Sequence, residues 1–250
     1  MRLFGFACAL VVLSSIAACS SSDGSPGSSP AGTSTTTGVS SDGKLYGDAH
    51  DGIYNLGPVD WAETQWHNSC SPYDSSIPPI YGNYLAGLEL TFNGNGQLCD
   101  ACIQITTKKG KSLVARVVTT GVTNHKEDID LSPEAYDALF SGEEPRLMTW
   151  QLVSCAESGT LRYQFQTGAH VDWSSFWVRN PRIPISKVEV KSSRHDFREL
   201  RRETDGTLND DSGFGPGEFT IRLTGMNGQV VTDTFPGFSP GELLVGKAQF

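Results

Sequence analysis

Apolar and polar residues alternate over Leu113 to Thr119 (LVARVVT), the period-two pattern of a strand with one buried face. Cys102 to Thr107 carries a similar pattern, and Lys108-Lys109-Gly110-Lys111 between the two runs reads as a turn. Thr149 to Cys155 forms a third such run, with Trp150, Leu152 and Ser154 on one face and Gln151 and Val153 on the other. A polar loop, Thr120 to Glu127, follows the second run and contains His125. Asp128 and Asp130 flank Ile129, so an extended backbone sends both carboxylates from one face, roughly 7 Å apart. The period then changes. Ser132 is placed to cap a helix, Pro133 suits its first turn and Glu134 complements its positive end. Ala135, Tyr136, Leu139 and Phe140 recur at helical spacing and pack back onto the strands.

Beyond residue 158 the patterns are all short and strand-like. Leu161 to Phe165, Ser175 to Val178, Val188 to Lys191, Phe219 to Leu223 and Gln229 to Thr234 are separated by turn signals such as Asn180-Pro181 and Asn227-Gly228. Five or more strands in so short a segment predict a β-sandwich. In Trp173 to Val178 the alternation places Phe176 and Val178 in the core. It leaves Trp173 and Trp177 outside, about 13 Å apart, as a surface on which sugar rings stack. The stretch Leu45 to Tyr84 is rich in Gly, Pro, Asn and Asp and reads as loops with short strands. Its aromatics, Tyr54, Trp61, Trp66 and Tyr73, exceed the needs of a small core. Some of them, Tyr54 among them, are expected to line a groove.

The first residues predict a targeting segment. Arg2 and the apolar run Leu3 to Leu13 form a signal too short to span a membrane as a mature helix. Ile16-Ala17-Ala18-Cys19 resembles a lipobox, in which Cys19 receives lipid and anchors the protein to a membrane surface. Ser20 after that cysteine matches sorting to the outer membrane or cell surface. Ser20 to Ser41 is almost wholly Ser, Gly, Thr, Pro and Ala and is expected to be a disordered tether. Residues 42–157 and 158–250 then form two folded domains, divided by the polar break Ala156-Glu157-Ser158-Gly159. Charge supports the division: Ser20 to Glu157 holds 7 Lys and Arg against 17 Asp and Glu, whereas Ser158 to Phe250 holds 11 of each. An acidic first domain argues against nucleic acid as a partner. Four cysteines remain after the signal, Cys70, Cys99, Cys102 and Cys155. In an exported protein they default to two disulfides, whose pairing the sequence leaves open; a redox pair at Cys99 and Cys102 or a zinc site are the alternatives.

Several segments, in order along the chain, resemble the bacterial and microbial expansins. They are CDACIQI (Cys99 to Ile105), DIDLSPEAY (Asp128 to Tyr136), TWQLVSC (Thr149 to Cys155), WVRNPRIPISKVEV (Trp177 to Val190) and FTIRLTGMNGQVVTDTFP (Phe219 to Pro236). The resemblance implies an all-β fold of two domains, a six-stranded double-psi β-barrel with a short helix followed by an immunoglobulin-like β-sandwich that binds carbohydrate. It implies loosening of cell-wall polysaccharide (cellulose, another glucan or peptidoglycan) without hydrolysis, by a monomer that needs no cofactor or metal. Asp130 matches the family's aspartate in the DLSP motif, expected to hydrogen-bond the glycan; Asp128, His125 and Thr119 complete the candidate polar site. Trp173, Trp177 and Tyr54 are the expected polysaccharide-binding aromatics. The chain departs from the family at several positions. A usual barrel aspartate falls on Thr119, a usual aromatic on Gly121, another aromatic on Asp172, and a third platform position near Asp205. Two other readings stand beside loosening. A polysaccharide-cleaving activity, as a glycosidase or lytic transglycosylase, would centre on Asp130, and a non-catalytic surface protein would only bind carbohydrate.

Overall fold

The computed structural model describes residues 43–57, 69–70, 82–93, 95–120, 125–156 and 159–250. The expected lipidation at Cys19, the Ser20 to Ser41 tether, Trp61, Trp66, Tyr73 and Gly121 lie outside these residues.

Six strands close into a barrel: β1 (Leu45–Leu56), β2 (Leu85–Leu88), β3 (Cys102–Thr107), β4 (Ser112–Thr120), β5 (Ile129–Leu131) and β6 (Leu147–Val153), in the order β1-β5-β2-β4-β3-β6. The pairs β1/β5 and β2/β4 are parallel and the others antiparallel. Closure leaves no open edge in the ring. Ile103, Ile105, Ala115, Val117, Ile129, Leu131, Met148 and Trp150 fill the barrel core. Strand β1 is longer than its sequence suggests. Its register shifts between Tyr46 and His50, so few of its apolar residues keep the alternation that marks a strand. The strand is defined instead by pairing to β6 and β5 on its two sides.

Helix α1 (Leu90–Asn93) is a single turn, and α2 (Pro133–Leu139) is the helix expected after Asp130. Pro133 and Glu134 occupy its first turn, and Ala135 and Leu139 are buried. Ser132 departs from its expected role, for its side chain makes no cap hydrogen bond. Its hydroxyl donates to the Asn83 carbonyl (2.5 Å) and accepts from the Leu85 amide (3.1 Å), stitching the helix start to the entry of β2.

Two further sheets follow. One holds β10 (Arg198–Glu199), β9 (Ile185–Lys191), β13 (Phe219–Gly225) and β14 (Val230–Phe235). The other holds β11 (Arg201–Arg202), β12 (Leu208–Asp210), β8 (Ser174–Arg179), β7 (Arg162–Phe165) and β15 (Leu243–Val245). Aromatic rings from both sheets meet between them: Phe165 stacks on Phe238 with centroids 4.0 Å apart, and Phe214 packs on Phe176 and Phe219. Strand β13 keeps the expected alternation of buried and partly exposed residues.

Strand β8 does not, and this corrects the expectation for Trp177. All six of its residues are buried, because both faces are covered. Phe176 faces the aromatic core, while Trp177, 3 % exposed, donates its indole N–H to the Asp205 carbonyl at 3.0 Å. The next residue but one, Arg179, reaches into the barrel. Its guanidinium pairs with the Asp100 carboxylate at 2.8 Å, donates to the Cys70 carbonyl at 2.7 Å and lies 5.2 Å from the Trp177 ring. Trp177 therefore belongs to the joint between barrel and sheets and not to an outer face.

Cys70, Cys99, Cys102 and Cys155 form two disulfides, Cys70–Cys99 and Cys102–Cys155, each with Cα atoms 5.5 Å apart. The first lies at the same joint. Gly206, at φ +80°, has no room for a β-carbon, which would fall 2.8 Å from Cys99 Cβ.

Candidate functional site

The strand register brings four residues into one row across the barrel. Asn55 of β1 lies opposite Asp130 of β5, Asp130 lies opposite Gly87 of β2, and Gly87 lies opposite Thr119 of β4. Residues paired in regular register, as Asp130 and Gly87 are, project to the same face of a sheet; between β2 and β4 the register shifts at Ala86 and Gly87, where Thr119 enters the row. Their strand neighbours Tyr54, Leu88, Ile129 and Leu131 are fully buried on the other face. Gly87 has no side chain, so the row holds a bare position between an acid and a hydroxyl two strands apart, a separation of about 10 Å. Asp130 and Thr119 are each largely covered, at 7 % and 4 % exposure. The Thr119 hydroxyl accepts from the Ser69 amide (3.2 Å) and shares a hydrogen bond with the Ser69 hydroxyl (3.1 Å), which ties the row to the Cys70 disulfide. Gly87 and Asn55 carry no signal in the sequence alone. Only the register brings them beside Asp130.

Asp128 has a different position from the one expected. It precedes β5, and its carboxylate accepts the Ile53 amide at 2.8 Å. The loop that carries it is fastened elsewhere too: the Asp128 amide donates to the His125 carbonyl, and the Trp150 indole donates to the Glu127 carbonyl at 2.9 Å. Gly52 allows this approach, since a β-carbon there would collide with the Glu127 carbonyl. Asp128 thus secures a loop against β1. His125 is exposed at the start of that loop. Replacing Gly52 by Ala is expected to push the loop from β1 and cost about 1–3 kcal/mol, measured by urea unfolding.

Tyr54 is fully buried and is not part of an open groove. It pairs with Ile129 on the inner face, and its hydroxyl donates to Glu143 at 2.5 Å. Burial and the Glu143 charge push the Tyr54 hydroxyl well above the usual phenol range, while the same hydrogen bond holds Glu143 below the usual carboxylate range. The residue orients the loop before β6 from beneath.

Among the described tryptophans, Trp150 and Trp177 are buried and Trp173 alone is partly exposed. Trp173 sits in a tight turn closed by two backbone hydrogen bonds with His170 (2.8 and 3.0 Å). The turn Asp210–Gly215 clasps it: the Gly215 amide donates to the Val171 carbonyl (2.8 Å) and the Phe214 amide to the Ser174 hydroxyl (3.1 Å). The Asp210 side chain is fully buried and organises the clasp. It accepts from the Ser212 amide (2.9 Å), the Ser212 hydroxyl (2.8 Å), His195 Nε2 (2.8 Å) and Arg198. Burial alone would raise its pKa, but the Ser212 and His195 hydrogen bonds and the Arg198 charge outweigh it and hold the carboxyl below its usual range. A depressed carboxyl contributes stability that is present above its unfolded pKa of about 4 and lost as pH falls through the lower folded value. Melting temperature is therefore expected to fall below about pH 4, less steeply in Asp210→Asn.

Bond cleavage between sugars needs an acid and a base or nucleophile about 5–10 Å apart on either side of the bond. The row offers one carboxylate, Asp130, with Thr119 across from it, and the nearby Asp128 accepts a backbone amide of β1.

No protein-family model matches the chain. Curated proteins do. Expansin-like protein 3 of Dictyostelium discoideum is 25 % identical over 177 residues, covering 68 % of this chain and 52 % of its own length. Expansin-YoaJ of Bacillus subtilis is 24 % identical over 169 residues, covering 65 % of this chain and 72 % of its own. The chain thus spans about half the length of the first of these relatives. Among solved structures, the apo expansin of Clavibacter michiganensis matches with a TM-score of 0.68 at 19 % identity, over 81 % of this chain and 98 % of that one. The chain is a microbial expansin-like protein. A variant of the Clavibacter expansin in complex with cellohexaose matches with a TM-score of 0.66 at 18 % identity, over 81 % of this chain and 98 % of that chain. The expansin-like chain shares with these structures the fold of a closed barrel followed by a second β region.

Proposed function

We propose that this expansin-like chain binds cell-wall polysaccharide through the barrel row and the Trp173 face, and loosens it without hydrolysis. The observation that carries the reading is the row itself: one carboxylate, Asp130, beside the bare Gly87, with Thr119 across the gap. A single fixed acid can accept hydroxyl hydrogen bonds from a sugar and compete with chain-to-chain contacts. It cannot supply both partners for general acid–base hydrolysis. Trp173 adds a stacking surface of a kind that suits the apolar face of a pyranose. Relatives named as expansins, and a structural neighbour in complex with cellohexaose, support the same reading.

In this reading residues 42–157 and 158–250 act as two domains, and the chain works as a monomer outside the cell. The lipobox at Cys19 and the Ser20 to Ser41 tether would hold it to a membrane surface while it searches the wall. The test is sedimentation of residues 42–250 with cellulose, chitin and purified peptidoglycan, beside Trp173→Ala. Retention on one polymer is expected to weaken about tenfold in the variant. Equal retention of the two proteins on every polymer would remove the Trp173 face from the account.

A further inference from the structure

The turn bearing Trp173 also carries an ion pair. Arg194, from the loop after β9, donates to the Asp172 carboxylate and to the Ser212 carbonyl. Asp172 is the neighbour of Trp173, and its amide donates to His170 Nδ1 at 3.2 Å. Both charged side chains are open to water, at 36 % for Arg194 and 66 % for Asp172. They are nevertheless held in place. The loop of Arg194 and the turn of Ser212 are joined through the buried Asp210, which binds His195, Arg198 and Ser212 together. Gly213 closes the clasp, since a β-carbon there would collide with the Val171 carbonyl.

We propose that Asp172 and Arg194 read sugar hydroxyls beside the ring on which the sugar stacks, so that this face selects single hydrated glycan chains over the flat surface of a crystalline polymer. The inference rests on the reading of Trp173 as a glycan-binding residue. A pyranose has apolar faces and a hydroxyl rim. Trp173 meets a face, while the exposed carboxylate and guanidinium of the same turn's ion pair accept and donate to the rim. Because the clasp fixes both groups before binding, little side-chain freedom is lost when a sugar arrives. A crystalline surface presents the opposite problem. Its hydroxyls are already paired within the crystal, so pressing it onto this turn strips water from the ion pair without replacement, and that desolvation opposes binding. A chain free in water can turn its edge toward the pair. One partly exposed tryptophan among the described residues also provides too narrow a stacking surface for a flat crystal face.

The test compares the full chain with Asp172→Ala, Arg194→Gln and Trp173→Ala. The probes are cellohexaose and chitohexaose in solution, by calorimetry, and microcrystalline cellulose and chitin, by depletion. Unchanged melting temperatures show that the variants remain folded. Trp173→Ala is expected to weaken binding of a soluble hexaose. Asp172→Ala and Arg194→Gln should each weaken the same hexaose roughly tenfold, as loss of a charge-assisted hydrogen bond does. Neither should reduce the weaker binding to the crystalline solids. Full hexaose affinity in both charge variants, with Trp173→Ala weakened, would overturn the inference and leave the Trp173 reading intact. So would wild-type binding that favours the crystalline solids. No loss in Trp173→Ala with any probe, or no wild-type binding to any, would instead sink the reading on which the inference rests.

Discussion

Replacing Arg179 by Met is expected to lower the stability of the expansin-like chain by about 3–5 kcal/mol, the usual cost of removing one partner of a buried ion pair. Arg179 and Asp100 are both nearly inaccessible, at 5 % and 3 % side-chain exposure, and meet at 2.8 Å across the joint between barrel and sheets. The same guanidinium holds the Cys70 carbonyl and Gln164. Arg116 of β4 donates to the Asp100 carbonyl at 2.6 Å. Removing Arg179 takes from the buried Asp100 carboxylate its hydrogen-bonded cation and leaves Arg202 as a second positive charge interacting with it. The loss should appear as a fall in melting temperature of roughly 10 °C for a protein of this size. A second substitution separates the charge from the packing. Asp100 has φ +67°, a conformation that Asn tolerates, so Asp100→Asn added to Arg179→Met removes the carboxylate charge without backbone strain. The double variant should recover much of the lost stability. Equal melting temperatures for wild type and Arg179→Met would contradict the assignment of the joint.

The second large effect concerns binding and not folding. Asp130→Asn should weaken glycan binding at the barrel row about 10–100-fold, because a hydrogen bond to a charged acceptor contributes about 1.5–3 kcal/mol. The substitution keeps the size of the side chain, and β5 is held through its backbone between β1 and β2. Melting temperature should therefore change little. Titration with soluble oligosaccharide reads the affinity, and calorimetric unfolding confirms the fold. Unchanged affinity in a folded variant would remove Asp130 from the site.

Much of this architecture is written in local patterns, and the exceptions have physical causes. Strands β3, β6 and β13 announce themselves because one face is more buried than the other, β4 does so through its apolar run although Ala115 to Thr119 are all buried, and α2 through Pro133 and its spaced apolar residues. Strand β8 misleads because alternation assumes an open outer face. Here that face is covered by the Asp205 turn and by the barrel, so Trp177 is buried by contacts remote in sequence. Tyr54 misleads in a similar way, since its neighbourhood of Gly, Asp and Asn reads as loop while long-range pairing makes it strand. Cysteine number pointed to two disulfides, but their partners come from the fold. Asp130 was legible through its motif. Thr119 was a candidate through the same resemblance, but Asn55 and Gly87 were not legible, because they become neighbours of Asp130 only through the crossed order β1-β5-β2.

Weakening of polysaccharide assemblies without breakage of glycosidic bonds is what separates loosening from hydrolysis. The most direct measurement applies residues 42–250 to a cellulose sheet and to isolated wall sacculi under constant load. Extension and newly formed chain ends are followed in the same sample. Extension beyond the buffer control with no rise in chain ends is expected, and no extension with Asp130→Asn. Extension that tracks the appearance of new chain ends, lost together with them in Asp130→Asn, would contradict loosening and make Asp130 part of a cleaving site.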